Sequence, residues 1–190
     1  MKKTVKERII EAASELFQKK GYNNVSIDEI IEKAGTSKGG FYYYFDSKDQ
    51  LLSGWIPQID QVYKEWFENA DASKSYKELL QEFNHLVLRK IEMGMPPEMV
   101  SVIYSTQLSM MPEKKINDTD RALFRSLHEL IKGGQKNGEF KQDHSFREYT
   151  RMLITIQRGI IYEWCINDGM YGLEQVGGDI LDMFVDAMCV

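Results

Sequence analysis

Two hydroxyl groups and a cation stand together just before a short stretch that the sequence predicts to be helical. Thr36 and Ser37 carry the hydroxyls, and Lys38 carries the cation. The first turn of a helix has backbone N–H groups without intrahelical partners, and these groups bind phosphate. Hydroxyl and ammonium groups beside them add donors of the kind that phosphate accepts. The residue types in this segment therefore predict a phosphate-binding surface.

Aromatic residues follow with a spacing that separates a buried face from an exposed one. Phe41 and Phe45 are four positions apart, and on a helix such a pair shares a face, so we expect both rings in a small core. Tyr42 and Tyr43 then point outwards, where a phenol can stack on a sugar or donate to a phosphate. Lys48 is predicted to make a second phosphate contact.

Two short predicted helices position these residues. Ser26 and Ser37 are the expected N-caps, and the turn between the helices is Ala34-Gly35-Thr36. Apolar residues recur at helical spacing along the first of the two: Ile27, Ile30, Ile31 and Ala34. This is the pattern of a helix-turn-helix, whose second helix enters the major groove of DNA. The segment is therefore predicted to bind double-stranded DNA.

Helix-start signals recur along the whole chain and indicate an all-α fold. Ser or Thr followed three positions later by Glu or Gln is a capping box. The sequence has five, each ahead of an apolar-periodic segment: Thr4/Glu7, Ser26/Glu29, Ser47/Gln50, Ser75/Glu78 and Ser145/Glu148. About nine helices are predicted, at about 5–20, 27–34, 37–45, from 48, 76–93, from 96, 119–132, 146–168 and 173–189.

Glycine and proline interrupt two of these predicted helices. The fourth contains Gly54 and Pro57, which predict either a kink that acts as a pivot or the end of one helix and the start of another. The helix that begins near Thr119 is expected to fray at Gly133 and Gly134.

The segment GYNNVSIDEIIEKAGTSKGGFYYYFDSKDQLL, with the helix before it, closely resembles the TetR/AcrR family of bacterial regulators. The shared features are the Gly-Tyr pair, the Ser cap, the Ala-Gly turn, the Ser-Lys-Gly entry, the Tyr-x-x-Phe core and the Lys-x-x-Leu-Leu opening. The match covers about residues 5–52. It implies a sequence-specific transcriptional regulator, and within that function a repressor that a small apolar or aromatic effector releases from an inverted-repeat operator.

The resemblance implies that nine residues contact DNA: Ser26, Thr36, Ser37, Lys38, Gly40, Tyr42, Tyr43, Tyr44 and Lys48. Two of them depart from the family pattern, because position 40 often carries a side chain and position 44 is often His. Both departures leave phosphate binding intact but change the surface offered to bases. Tyr44 also lies three positions from Phe41, and packing in an aromatic cluster is the alternative to DNA contact for this ring.

Two domains are implied, a three-helix helix-turn-helix domain over residues 1–48 and a helical effector-binding and dimerisation domain over residues 49–190. In the family the last two helices pair with those of a partner in a four-helix bundle. Here the last two predicted helices are apolar on more than one face, as expected at an interface. The predicted dimer interface contains Met152, Ile160, Ile161, Ile180, Phe184 and Met188.

An aromatic- and methionine-rich set, which includes Met110 and Met111, lies between the two regions. Such residues form either a core or an adaptable pocket for an apolar effector. The predicted pocket contains Tyr63, Trp66, Phe67, Phe83, Tyr104, Phe124, Ile156 and Trp164. Side chains that would add polarity are Arg89, Gln157, Arg158 and Glu163. The acidic charge of this region favours a neutral or cationic aromatic effector over an anion.

Composition and charge narrow the classes of function. Residues 1–50 carry a net charge of +1 and the rest −6, out of −5 in all, which fits a small nucleic-acid module on an acidic body. The three histidines and two cysteines lack metal-ligand spacing, and no catalytic or phosphate-loop motif is present. We expect no enzyme activity, catalytic residue, metal or cofactor. A helical interaction module without DNA binding is the remaining alternative.

The expected location is the cytoplasm. The N-terminus lacks the apolar core of a signal peptide, and no apolar run approaches the roughly 18 residues of a membrane span. The expected partners are operator DNA, a small effector and a second copy of the chain, with no membrane contact. Cys165 and Cys189 stand among apolar neighbours, which is typical of packed thiols, with redox sensing as the alternative.

Overall fold

Helices account for nearly all of the regular structure in the computed structural model, which describes residues 3–52, 54–109 and 115–190. The helices are α1 (Val5–Lys20), α2 (Ile27–Ala34), α3 (Lys38–Tyr42), α4 (Lys48–Leu52), α5 (Trp55–Glu68), α6 (Tyr76–Gly94), α7 (Pro97–Ser109), α8 (Ala122–Lys136), α9 (Phe146–Ile166) and α10 (Leu173–Met188). A short 3-10 turn covers Lys115–Asn117. None of the described helices is long and apolar enough to span a membrane. The prediction of an all-α fold is confirmed.

Local capping explains where most of these helices begin. Four of the five predicted capping boxes form both reciprocal bonds, at the starts of α1, α2, α6 and α9. At the fifth, the amide oxygen of Gln50 accepts from the backbone N–H of Asp46, 3.1 Å away and one residue before the predicted cap at Ser47. The chain therefore turns into α4 by a different hydrogen-bond pattern.

The first three helices pack around a small apolar core. Its buried members are Ile9, Ala12, Ala13, Phe17, Tyr22, Val25, Ile30, Ala34, Phe41 and Phe45. A polar contact closes the same unit, because Nη1 of Arg8 donates to the carbonyl oxygens of Ala34 at 2.8 Å and Gly35 at 3.2 Å. Gly35 adopts a left-handed conformation (φ 60°), which glycine tolerates at a helix C-cap. The turn between α2 and α3 is thus fixed by α1.

The break predicted at Gly54 and Pro57 separates two helices. α4 ends at Leu52, and α5 begins at Trp55 with Gly54 before it. Pro57 lies in the first turn of α5, where backbone N–H groups need no intrahelical partner. One helix ends and another starts at this point, and the pivot stays a prediction.

The helices from α5 onwards form a second, larger core. α6 packs against α10 and α8, α9 packs against α7, α8 and α10, and α5 packs against α8. Fully buried side chains from α6 and α10, such as Leu80, Leu88, Leu181 and Val185, occupy its centre. α7 also contacts α4, so it touches both cores.

The predicted fraying of α8 at Gly133 and Gly134 is wrong. α8 runs through both glycines and ends at Lys136. A Cβ at Gly133 would stand 2.2 Å from the ring of Tyr76, and one at Gly134 would stand 2.2 Å from the ring of Phe140. The two glycines therefore make room for aromatic rings from other parts of the chain. They cost helix propensity but allow close packing.

Gly134→Ala is expected to destabilise the protein by about 1–2 kcal/mol, because overpacking outweighs the gain in helix propensity. Gly159→Ala is the matched control, since a Cβ at this position in α9 meets nothing within 4 Å. It should stabilise the chain by about 0.5–1 kcal/mol. Chemical denaturation at one protein concentration measures both. A Gly134→Ala protein as stable as the Gly159→Ala protein would contradict the packing described for Phe140.

Candidate DNA-binding surface and effector cavity

The start of α3 presents the polar groups that the sequence predicted for DNA. The Oγ of Ser37 accepts from the backbone N–H of Gly40 at 3.0 Å, so this hydroxyl caps the helix. Lys38 is exposed at the first position of α3. The Tyr42 side chain is 44% exposed and that of Tyr43 is 81% exposed, while Phe41 is buried beneath them. The Lys38 ammonium and the phenol rings of Tyr42 and Tyr43 are therefore all exposed to solvent.

The nine predicted DNA contacts divide by exposure. Six are exposed, namely Ser26, Ser37, Lys38, Tyr42, Tyr43 and Tyr44, and three are partly buried, namely Thr36, Gly40 and Lys48. The Tyr44 ring lies edge-on to the Tyr43 ring, with centroids 4.8 Å apart, so it supports its neighbour as well as facing solvent. A Cβ at Gly40 would stand 2.4 Å from Oγ1 of Thr36. The Thr36 hydroxyl thus occupies the space that a side chain at position 40 would take.

The Ser26 hydroxyl caps the N-terminus of α2. Its Oγ donates to Oε2 of Glu29 at 2.9 Å and accepts from the Glu29 N–H at 3.2 Å. The ammonium of Lys20 and these cap bonds from Ser26 hold the pKa of Glu29 down to about 2. This cap therefore keeps its negative charge at any pH above that value.

The Lys48 ammonium is already hydrogen-bonded within the protein in the absence of DNA. Its ammonium donates to the carbonyl oxygens of Tyr22 at 2.8 Å and Val25 at 2.9 Å, and lies 4.2 Å from the centre of the Tyr22 ring. Burial lowers the pKa of this lysine. An ammonium has three N–H donors, so one remains for a phosphate after these two bonds. Lys48 fastens α4 to the turn between α1 and α2.

Tyr22 is the residue around which this junction is built. Its hydroxyl bonds a carboxylate oxygen of Asp49, and burial together with that carboxylate raises the pKa of the phenol. Its backbone N–H donates to Oε1 of Glu98 in α7 at 3.0 Å. Sequence reasoning missed Glu98 entirely. Its position directly after the Pro96-Pro97 pair predicts a helix start, and no local pattern reveals a partner 76 positions earlier.

A partly open apolar cavity of about 100 Å3 lies between α5, α6, α7, the start of α8 and α9. Its lining is Trp55, Ile56, Ile59, Tyr63, Val87, Ile91, Met95, Val100, Ile103, Tyr104, Ile116, Arg121, Leu123, Ile154, Gln157, Arg158 and Ile161. Burial raises the pKa of Tyr104 to about 12, so its phenol stays protonated. Five helices from distant parts of the sequence thus meet around one apolar space.

Two of the eight predicted pocket residues, Tyr63 and Tyr104, line this cavity. The other six lie elsewhere: Trp66, Phe67, Phe83, Phe124, Ile156 and Trp164. The Phe83 ring fills the core instead, 5.0 Å from the Trp66 ring, and Nε1 of Trp164 donates to the carbonyl of Tyr171 at 3.0 Å. Met110 and Met111 lie outside the described residues. Ring size alone could not separate pocket from core.

Polar groups on the cavity are few and mostly paired. Arg121 makes two bonds with the Asp60 carboxylate, at 2.9 and 3.0 Å. Nε2 of Gln157 donates to Oδ1 of Asn84 at 2.9 Å, with both side chains buried. Among the sequence candidates for polarity, Gln157 and Arg158 line the cavity whereas Arg89 and Glu163 do not.

Arg158 is the second cation on the cavity wall, and unlike Arg121 it has no carboxylate partner among the described residues. Its Nη2 donates to the carbonyl of Ile116 at 2.9 Å, and within the described ranges no acidic group lies at salt-bridge distance from it. Burial lowers the pKa of this guanidinium, which remains charged. Across the same ranges, no cluster of His, Cys, Asp or Glu is arranged to hold a metal ion. The cavity therefore offers apolar contacts and one unneutralised cation.

The predicted dimer residues fall into two groups. Ile180 is exposed, and Met152 and Phe184 are partly buried. Ile160, Ile161 and Met188 are buried within the protomer, Ile161 on the cavity wall. These three are occupied by contacts inside the chain, which corrects their assignment to an outer face. The exposed large apolar side chains of α9 and α10 are Tyr162, Ile166, Val176, Ile180 and Met183.

Sequence models of two protein families match the chain and together cover most of it. The model described as "Bacterial regulatory proteins, tetR family" matches residues 9–54. The model described as "YsiA-like protein, C-terminal region" matches residues 59–187. The first region holds α2, α3 and their turn, and the second holds nearly all of the cavity lining.

The chain is also similar to individual proteins along most of its length. It is 22% identical over 194 residues to the fatty acid metabolism regulator protein of Bacillus subtilis, covering 95% of this chain and 94% of that one. It is 27% identical over 139 residues to the HTH-type transcriptional regulator QacR of Staphylococcus aureus, covering 72% and 73%. The crystal structure of Thermus thermophilus FadR, described as a transcriptional repressor in complex with lauroyl-CoA, has a TM-score of 0.72, with 20% identity and coverage of 97% and 95%.

Lys38→Ala should weaken DNA binding to all sequences, lower the slope of log affinity against log salt by about one and leave stability unchanged. Lys48→Ala should weaken binding and also destabilise the fold by about 1–2 kcal/mol, because it leaves two carbonyls without their donor. Fluorescence anisotropy with duplex DNA across salt concentrations, paired with denaturation, measures both. Lys132→Ala, an exposed charge on α8, is the control. Equal salt slopes for Lys38→Ala and Lys132→Ala would remove Lys38 from the contact surface.

Proposed function

Because the chain belongs to the TetR family of bacterial regulatory proteins, we propose that it is a repressor that a small effector releases from operator DNA. Family membership makes it a DNA-binding transcriptional regulator and not an enzyme. One observation carries the proposal: an exposed α3 and an apolar cavity occur in the same chain, and α7 both lines the cavity and accepts a hydrogen bond from Tyr22 of the N-terminal unit.

Each of the two regions of the chain has its own proposed role. Residues 1–48 bind DNA, with α3 in the major groove, and residues 49–190 bind the effector and form the dimer. Exposed Lys38, Tyr42 and Tyr43 support this assignment at the DNA end. A two-fold dimer places two copies of α3 about 34–36 Å apart, which fits an inverted repeat.

The cavity supports an apolar effector with a polar or anionic end. Its lining is mostly aliphatic and aromatic, and the uncompensated guanidinium of Arg158 disfavours the cationic compound expected from net charge alone. At about 100 Å3 the cavity is smaller than the roughly 150 Å3 space that admits benzene in an engineered protein. An effector larger than this space would therefore need the lining helices to move apart.

Lauroyl-CoA is the first compound to test, because it combines an apolar chain with anionic groups and is bound by the similar Thermus thermophilus repressor. An operator is first selected from random duplex DNA. Lauroyl-CoA and a neutral aromatic such as naphthalene are then titrated into the complex. Loss of operator binding supports the proposal, and the compound that causes it identifies the effector class. Unchanged operator affinity with both compounds would contradict the proposed release.

Ile59→Trp should keep operator binding and lose the response to effector, because the larger ring fills the cavity from α5. Ile59 is only partly buried, which limits the cost of overpacking. The matched control is Met93→Trp on α6, where the side chain is exposed and away from the cavity. Anisotropy with labelled operator, with and without lauroyl-CoA, compares them. A normal response in Ile59→Trp would place the effector elsewhere.

Ile180→Glu should convert the dimer to a monomer, since Ile180 and Met183 form an exposed apolar stripe on α10. Met93→Glu, an equally drastic change at an exposed methionine outside α9 and α10, should leave the dimer intact. Sedimentation velocity at micromolar concentration gives the masses. A wild-type monomer, or an Ile180→Glu dimer as stable as wild type, would overturn this interface.

A further inference from the structure

The Glu98 carboxylate joins α7, one of the cavity helices, to the DNA-binding unit. Oε1 of Glu98 accepts from the Tyr22 N–H at 3.0 Å, and it would lie 3.0 Å from a Cβ at Gly21. Gly21 has φ 77°, a conformation that other residues rarely adopt. The bare turn after α1 is therefore shaped to receive this carboxylate.

The receiving residue, Tyr22, is held at every other polar group as well. Its carbonyl accepts from Lys48, its ring lies under the same ammonium, and its hydroxyl bonds Asp49. Lys48 and Asp49 both belong to the first turn of α4. Movement of the Glu98 carboxylate therefore acts on α4 and on the α1–α2 turn together.

The helix that carries Glu98 also forms a wall of the cavity. Val100, Ile103 and Tyr104 of α7 line it, and Tyr104 lies only about 9 Å along the helix from Glu98. On its other side the first turn of α7 is packed tightly, since a Cβ at Gly169 would stand 2.8 Å from Cγ of Pro97. An effector that pushes α7 outward displaces a helix whose first turn is fixed at Tyr22 and at the α9–α10 turn.

We propose that Glu98 is a positioning residue: its bond to the Tyr22 N–H holds the DNA-binding unit in the arrangement that binds operator, and filling the cavity breaks that bond. This inference rests on the proposed function, because it assigns the bonded arrangement to the unliganded repressor. We assign the described arrangement to the unliganded repressor because a cavity of about 100 Å3 is too small for an acyl chain. An effector that binds better when α7 has moved shifts the population away from it.

Two substitutions at one position test the role of Glu98. Glu98→Ala removes the acceptor, and operator affinity without effector should fall about tenfold. Glu98→Gln keeps an acceptor oxygen without the charge, and charged acceptors bond about twice as strongly as neutral ones, so a fall of about threefold is expected. Glu129→Ala removes an exposed carboxylate from α8 and should change nothing. Thermal unfolding of each full-length variant confirms that it is folded.

Two readouts separate positioning from a general structural role. The first is the ratio of lauroyl-CoA dissociation constants with and without operator, which should fall towards one in Glu98→Ala. A merely destabilising change would lower operator affinity and leave that ratio unaltered. The second is amide hydrogen exchange at Tyr22, which should be faster in Glu98→Ala and, in wild type, faster once lauroyl-CoA is bound.

Failure of this inference is distinguishable from failure of the proposed function. Wild-type operator affinity and wild-type Tyr22 exchange in Glu98→Ala would overturn the role of Glu98, even if lauroyl-CoA still released the operator. If lauroyl-CoA has no effect on wild type, the proposed effector fails. The ligand-free operator affinities of Glu98→Ala and Glu98→Gln and the ligand-free Tyr22 exchange then still decide the role of Glu98.

Discussion

Two helices of eight and five residues cannot hold their shape alone in water, and this constraint governs the DNA-binding unit. α2 and α3 are helical because their apolar faces close on α1 and because polar groups hold the connecting turns. Arg8 fixes the turn between them through two carbonyls, and Lys48 fixes the turn before them through two more. All four of these hydrogen bonds are accepted by backbone carbonyl oxygens. The reading surface is therefore a product of tertiary contacts and not of helix propensity.

Charge separates the two regions in a way that suits their functions. The N-terminal fifty residues carry a net charge of +1, and the remainder carries −6. A negative body repels the phosphate backbone, which favours the proposed approach of DNA from the side of α3. Inside that negative body, Arg158 is a local exception, since it faces the cavity and, among the residues that the structure describes, bonds a backbone carbonyl and no carboxylate. Net charge thus favours DNA at the N-terminal end, but it does not reveal the local positive charge at the cavity.

Features set by neighbouring residues were predictable from the sequence, and features set by distant ones were not. Capping boxes depend on two residues three positions apart, and four of the five formed. Gly133 and Gly134 have the local signature of a helix end, yet rings from Tyr76 and Phe140 decide their place. Tyr63 and Phe83 are equally aromatic, and only the packing of the helices around the cavity puts one on its wall and the other in the core alone. Glu98 had no local signal at all.

The contact between Glu98 and Tyr22 has an evolutionary consequence. Glu98 recognises a backbone N–H, which every residue except proline carries, and the carboxylate needs only the bare glycine beside it. Residues on the outer face of α3 can therefore diverge to suit a new operator without breaking the link to α7. Cavity residues can likewise diverge to suit a new compound while the first turn of α7 stays the same. Duplicated copies of such a gene can acquire new DNA targets and new chemical signals independently of each other.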